Sequence, residues 1–287
     1  MFIHRFWVWF LAFCPVSASG APQILQEDLA TRPGVTVRLL VLTPDKPSAV
    51  AVLFAGGRGL VSIENGTTTN QNFLVRSREI FAQHGLVAVV VGPPSDRLFS
   101  APDGSGTIGL GFGFRRSPEH ADDIAAVVLR MRVLAPGLPV WLVGTSRGST
   151  SAAYGVMRLA DMSGAAPDGI VLTSSLAIPV PPQTTPTDGD SLLLVGTASG
   201  SEGLSLSQIQ VPVLAMHHVN DQCFVTPYAG LQPLLQQLTG AARLKGLAIH
   251  GGDTPIGDPC EALHFHGFIG IEGSVVARIA HWIKTAE

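Results

Sequence analysis

The chain has 287 residues, 46% of them hydrophobic and only 14% charged; a sequence this apolar can bury a core and is not intrinsically disordered. Its length suits one domain and gives no firm ground for two. The formal net charge is −3 and no Lys/Arg cluster occurs, which argues against a nucleic-acid partner.

The amino-terminal segment stands apart from the rest. Met1 to Arg5 is weakly basic, residues 6–16 form the apolar run FWVWFLAFCPV, and small residues follow at 17–21. This is the order of a secretory signal peptide, so residues 1–20 are expected to be removed, with cleavage after Gly20 or Ala18. The mature domain is then 21–287, secreted or periplasmic. The apolar run is too short for a stable membrane span. A lipoprotein reading through Cys14 is disfavoured by Phe13, which stands where such signals carry a small residue. Without the leader, Cys223 and Cys260 remain. In an oxidising compartment such a lone pair is a disulfide candidate.

Beyond the leader, short apolar and β-branched runs alternate with helix-like segments. Strands are expected over 35–42, 49–54, 86–91, 138–143, 170–172, 211–216 and 244–249. Runs such as VAVVV are apolar throughout rather than alternating, as strands covered on both faces are. Helices are expected over 70–84, 119–134, 146–159, 227–238 and 274–285. The second of these carries acids early and arginines late, as the helix dipole favours. The alternation argues for a mostly parallel, doubly wound sheet. Two long irregular loops, 93–117 and 177–210, each follow an expected strand and so belong near the carboxyl edge of the sheet, where such folds bind ligands.

The strongest local motif is Gly144-Thr145-Ser146-Arg147-Gly148. Alone, G-x-S-x-G is common; here an apolar strand runs into it and a small-residue helix runs out, the setting of a nucleophile elbow. Its glycines avoid collisions in the sharp turn, and the serine hydroxyl is presented at a helix N-terminus. Ala55-Gly56-Gly57-Arg58-Gly59 follows another apolar strand. Gly57 there, together with the backbone N–H of Arg147, is the candidate pair of oxyanion donors. A dinucleotide-binding loop is the competing reading; Ser62 at the third glycine position argues against it. For acid and base, Asp221 sits just past the strand at 211–216, and His266 precedes the last helix, giving the order Ser146, Asp221, His266. His264 is a rival base, and Asp253 and Asp258 are rival acids. His217 and His218 read as the end of a strand or a pocket wall. His84, His120, His250 and His281 have no spacing that demands catalysis or a metal.

On the Gly56-Gly57 loop, the Ser146 elbow, the post-strand Asp221 and the His-Gly-Phe at 266–268, the chain resembles the α/β-hydrolase superfamily, in its single-domain bacterial esterase and dienelactone-hydrolase-like branches. The resemblance runs from about Val35 to Ile283. It implies an α/β fold of one domain, a mostly parallel central sheet with helices on both faces and no large cap. It implies Ser146 as nucleophile, His266 as general base and then acid, and Asp221 as the orienting carboxylate. The expected reaction is cleavage of a small-molecule carboxylic ester through an acyl-enzyme, with no metal or organic cofactor. Two alternatives are a peptidase or amidase on the same fold, and a binding protein with a catalytically dead hydrolase fold. A subtilisin-like enzyme is disfavoured, because it would need its Asp and His upstream of the serine. If Cys223 and Cys260 pair, the bond staples the acid loop to the histidine loop.

Overall fold

A computed structural model describes residues 20–102, 104, 106–176 and 204–285. The expected leader up to residue 19 and most of the 177–210 loop therefore lie outside the described residues. One sheet carries eight strands in the order β1-β2-β4-β3-β5-β6-β7-β8. In chain order these are β1 (Gln23–Arg32), β2 (Val35–Thr43), β3 (Ala49–Phe54), β4 (Leu86–Pro94), β5 (Val140–Thr145), β6 (Gly169–Thr173), β7 (Val213–His218) and β8 (Leu244–Ile249). β1 and β2 pair antiparallel with each other, and β2 pairs antiparallel with β4; the pairings from β4 across to β8 are parallel.

The continuous apolar runs are explained by packing on both faces of the sheet. In β3, Val50, Val52 and Phe54 enter one core while Ala49, Ala51 and Leu53 enter the other; in β5, Val140 and Leu142 face the first and Trp141 and Val143 the second. The first core is closed by α4 (Pro118–Leu134), α5 (Gly148–Leu159) and α6 (Leu231–Gln237), and the second by α1 (Phe73–Arg76), α2 (Arg78–Gln83) and α7 (Glu272–Lys284). The remaining short helix, α3 (Phe112–Arg115), lies within the glycine-rich loop after β4.

Local chemistry sets several boundaries. α4 starts where the Ser117 side chain accepts from the His120 N–H, with Pro118 in the first turn and Glu119 beside it, and ends with Arg132 in its last turn. The expected single helix over 70–84 is instead two short helices meeting at Ser77, whose ψ of 2° leaves helical geometry. The expected nucleophile helix starts at Gly148 rather than 146, because β5 continues through Thr145 and Ser146 forms the turn. β1 went unpredicted: its sequence QILQEDLATR is polar and largely exposed, as suits an edge strand protected by charge.

Candidate active site

Ser146 stands between β5 and α5 at φ +52°, and it is 9% exposed. A left-handed φ is costly for a residue with a side chain, and the surroundings hold it. Its N–H donates to the Thr173 carbonyl (3.0 Å), and its carbonyl accepts from the Ser149 N–H (3.0 Å) and hydroxyl (2.5 Å). The flanking glycines are required by close approach. A Cβ on Gly148 would sit 2.0 Å from the Phe54 carbonyl oxygen, and one on Gly56 would sit 2.9 Å from the Ser146 Cβ. The elbow is therefore wedged between the end of β3 and the glycine loop that follows it.

His266 lies on a single 3₁₀ turn (Phe265–Gly267), and Asp221 in the turn after β7. The structure brings the two together: His266 Nδ1 is 3.0 Å from Asp221 Oδ2. The other oxygen, Oδ1, accepts from the Cys223 N–H at 2.9 Å. The hydroxyl of Thr226 lies 3.0 Å from both Asp221 Oδ2 and His266 Nδ1, and all three groups are buried. From the end of β6, Ser174, itself at φ +41°, donates its hydroxyl to the His266 carbonyl (2.8 Å). Arg76 donates to the carbonyls of Gly267 (2.6 Å) and Gln71 (2.6 Å) and pairs with Glu272, fixing the histidine turn to the segment before α1.

The rival groups are placed elsewhere. His264 packs edge-on against Phe265, and its Nδ1 has no hydrogen-bond partner. Asp258 accepts from the Cys260 N–H. His217 and His218 are the last residues of β7 and are buried. His217 Nε2 accepts from the Ser175 N–H (2.9 Å), and burial pushes its pKa down to about 4. His218 stacks on Phe265, with its Nδ1 accepting from the Asn220 N–H and its Nε2 lying 2.8 Å from the Gly251 carbonyl; burial lowers its pKa also.

Ser146 and His266 line one cleft of about 280 Å³, together with Gly56, Gly57, Asn72 and Glu261. Asp221 lies behind His266, out of the cleft lining. Arg147 is the N-cap residue of α5. Cys223 and Cys260 form a disulfide, and Cys260 is part of the cleft wall. A larger hollow of about 380 Å³, lined by Asp28, Arg38, Leu60, Ile63 and Leu98, contains none of Ser146, Asp221 and His266. Among the described residues no group of three or more His, Cys, Asp or Glu is placed to hold a metal ion, and no helix is long and apolar enough to cross a membrane.

No protein-family model matches the sequence, and no curated protein matches it. Solved structures do. A dienelactone hydrolase from Anabaena variabilis superposes over 92% of this chain and 97% of its own, at 15% identity and a TM-score of 0.54. An esterase from Pyrococcus furiosus covers 92% and 90%, at 10% identity and a TM-score of 0.57. A cold-adapted esterase from an Arctic intertidal metagenomic library covers 90% and 92%, at 12% identity and a TM-score of 0.52.

The chain has the α/β-hydrolase fold. In that fold the carboxyl ends of the parallel strands carry the site, and here Gly56, Ser146, Ser174 and Asp221 follow β3, β5, β6 and β7. Between β7 and β8 the described chain holds only turns and α6, with no cap domain. Sequence reasoning did not single out Thr226, Ser174 or Arg76. Single hydroxyls and an arginine in loops have no period or motif; only the fold brings them against His266 and its turn.

Proposed function

We propose that this protein is a serine hydrolase acting on carboxylic esters. The observation that carries the reading is the shared cleft: a serine on a strained strand-to-helix turn and a histidine backed by a buried carboxylate line the same hollow. Ser146 attacks the ester carbonyl while His266 takes its proton at Nε2. Asp221 holds the Nδ1–H tautomer and offsets the charge of the imidazolium. The backbone N–H groups of Gly57 and Arg147 receive the developing oxyanion. His266 then protonates the leaving alcohol, and water enters by the reverse sequence to free the acid. Each step uses groups of this chain, with no metal or organic cofactor. The likeness to esterases and a dienelactone hydrolase supports the reading at the level of fold only. Export to an oxidising compartment after loss of residues 1–20 is part of the proposal, supported by the disulfide.

The test is turnover of p-nitrophenyl esters of graded chain length, with labelling of Ser146 by a fluorophosphonate. Ser146→Ala and His266→Ala are each expected to lower kcat to a residue of about 10³–10⁴-fold over the water reaction, because nucleophile and base act as a unit. His264→Ala is expected to be milder. Wild-type turnover in folded Ser146→Ala, or a larger loss for His264 than for His266, overturns the assignment. Cleavage of p-nitroanilides in preference to esters moves the reading to an amidase.

A further inference from the structure

The glycine loop after β3 is held from behind by a side chain that the scheme above does not use. Arg115, the last residue of α3, is fully buried. Its Nη2 donates to the carbonyls of Ala55 (3.0 Å) and Gly57 (3.1 Å), its Nη1 to the Ser151 hydroxyl (2.6 Å), and its Nε to the Leu110 carbonyl (3.1 Å). The Gly56 carbonyl, between the two it holds, accepts from the Gly59 N–H at 3.0 Å. Three consecutive carbonyls are thus committed to the protein. In a trans peptide the N–H points opposite to the C=O. Fixing the carbonyls of residues 55, 56 and 57 therefore fixes the directions of the N–H groups of 56, 57 and 58. Gly59 has a structural reason as well: a Cβ there would stand 3.0 Å from Arg115 Nη2.

The contact with Ser151 reaches the other half of the site. Ser151 lies one turn into α5, the helix that leaves the Ser146 elbow. One guanidinium plane consequently spans the glycine loop and the nucleophile helix. A planar fork of five donors can do this; a lysine ammonium, with three donors on one atom, cannot. The Ser151 hydroxyl also lies 2.9 Å from His120 Nε2. Burial and the charge of Arg115 hold that imidazole neutral, with its pKa pushed down to about 3. Ser151 can then accept from Arg115 while donating to His120, which fixes its own rotamer.

We propose that Arg115 is the positioning residue of the oxyanion site, setting the loop of Gly56 and Gly57 at a fixed distance from the start of α5. The inference rests on the serine-hydrolase reading. It assigns Arg115 no contact with substrate; it acts through the backbone donors. Displacing such donors weakens binding of the transition state more than of the ground state, so the loss falls on kcat rather than KM.

The experiment compares wild type, Arg115→Lys and Ser151→Ala on p-nitrophenyl acetate and on its thiono analogue, in which C=S replaces C=O. Sulfur is a larger and poorer hydrogen-bond acceptor, so the oxo/thiono rate ratio reports oxyanion geometry specifically. In Arg115→Lys, kcat is expected to fall about 10²-fold, the scale of one lost oxyanion donor or of a misplacement of about 1 Å. KM should stay within about threefold, and the oxo/thiono ratio should drop about tenfold or more. Ser151→Ala, which keeps the cation and removes one tether, should shift both quantities in the same direction by a smaller factor. It carries the test if Arg115→Lys does not fold. Unchanged kcat in a folded variant, or a fall in kcat with an unchanged ratio, overturns the inference and leaves the hydrolase standing. A wild type that neither turns over esters nor reacts with fluorophosphonate overturns the hydrolase reading itself, and this inference with it.

Discussion

At the scale of single residues, the Asp221 and His266 side chains are held by contacts beyond the one they make with each other. Thr226 shows this most directly, because one hydroxyl lies 3.0 Å from both members of the Asp221–His266 pair. Donating to Asp221 Oδ2, it ties down the carboxylate oxygen that faces His266 Nδ1. Thr226→Val keeps the shape and removes the donor. A hydrogen bond to a charged group is worth about 1.5–3 kcal/mol, so a loss of about tenfold or more in kcat is expected. Thr226→Ser should restore turnover. Unchanged kcat in folded Thr226→Val would reduce the hydroxyl to packing. Ser146 is legible in the sequence because its glycines mark it, whereas Thr226 is not, because it differs from any other loop threonine only by the fold around it.

At the scale of elements, the junction of β3, β5 and α5 decides the site, and the spacing of glycines along the chain marks it. Gly148→Ala drives a methyl group into the Phe54 carbonyl, so α5 must retreat from β3 or the elbow must open. Overpacking of this kind costs about 1–3 kcal/mol, more where backbone blocks relief. A fall in Tm on the order of 5–10 °C, measured by circular dichroism, is the expected outcome, with turnover reduced beyond what stability explains. An unchanged Tm would mean that the helix start yields without cost. The central strands are legible from their apolar runs because both faces are covered. β1 is not, because an exposed edge strand has little burial to write into its sequence. The break at Ser77 is hidden for a different reason: the apolar spacing of Phe73, Leu74, Ile80 and Phe81 continues across it.

At the scale of the whole molecule, stability should depend on pH through its buried neutral histidines. His120 and His217 have folded pKa values of about 3 and about 4, against 6.5 for the free side chain. Between those values the unfolded chain binds protons that the folded chain refuses. Stability is therefore complete above about pH 6.5 and declines as the pH falls toward 4. Thermal denaturation from about pH 8 to 4 should show a flat Tm above about pH 7 and a progressive fall below it, less steep in His217→Gln. A Tm that rises on acidification would contradict the sign. The doubly wound architecture is evident from the alternation of strands and helices, but the burial of these histidines depends on contacts distant in sequence. The disulfide has a consequence of the same global kind. It closes the chain from Cys223 to Cys260 into a ring that contains α6 and the edge strand β8. Asp221 precedes the ring and His266 follows it. A protease that cuts once between residues 224 and 259 therefore severs the polypeptide between Asp221 and His266 without separating them. On a denaturing gel the nicked protein should run as one band without reductant and as two with it. Before reduction it should keep most of its turnover, so that a single proteolytic cut there would scar the molecule without disarming it.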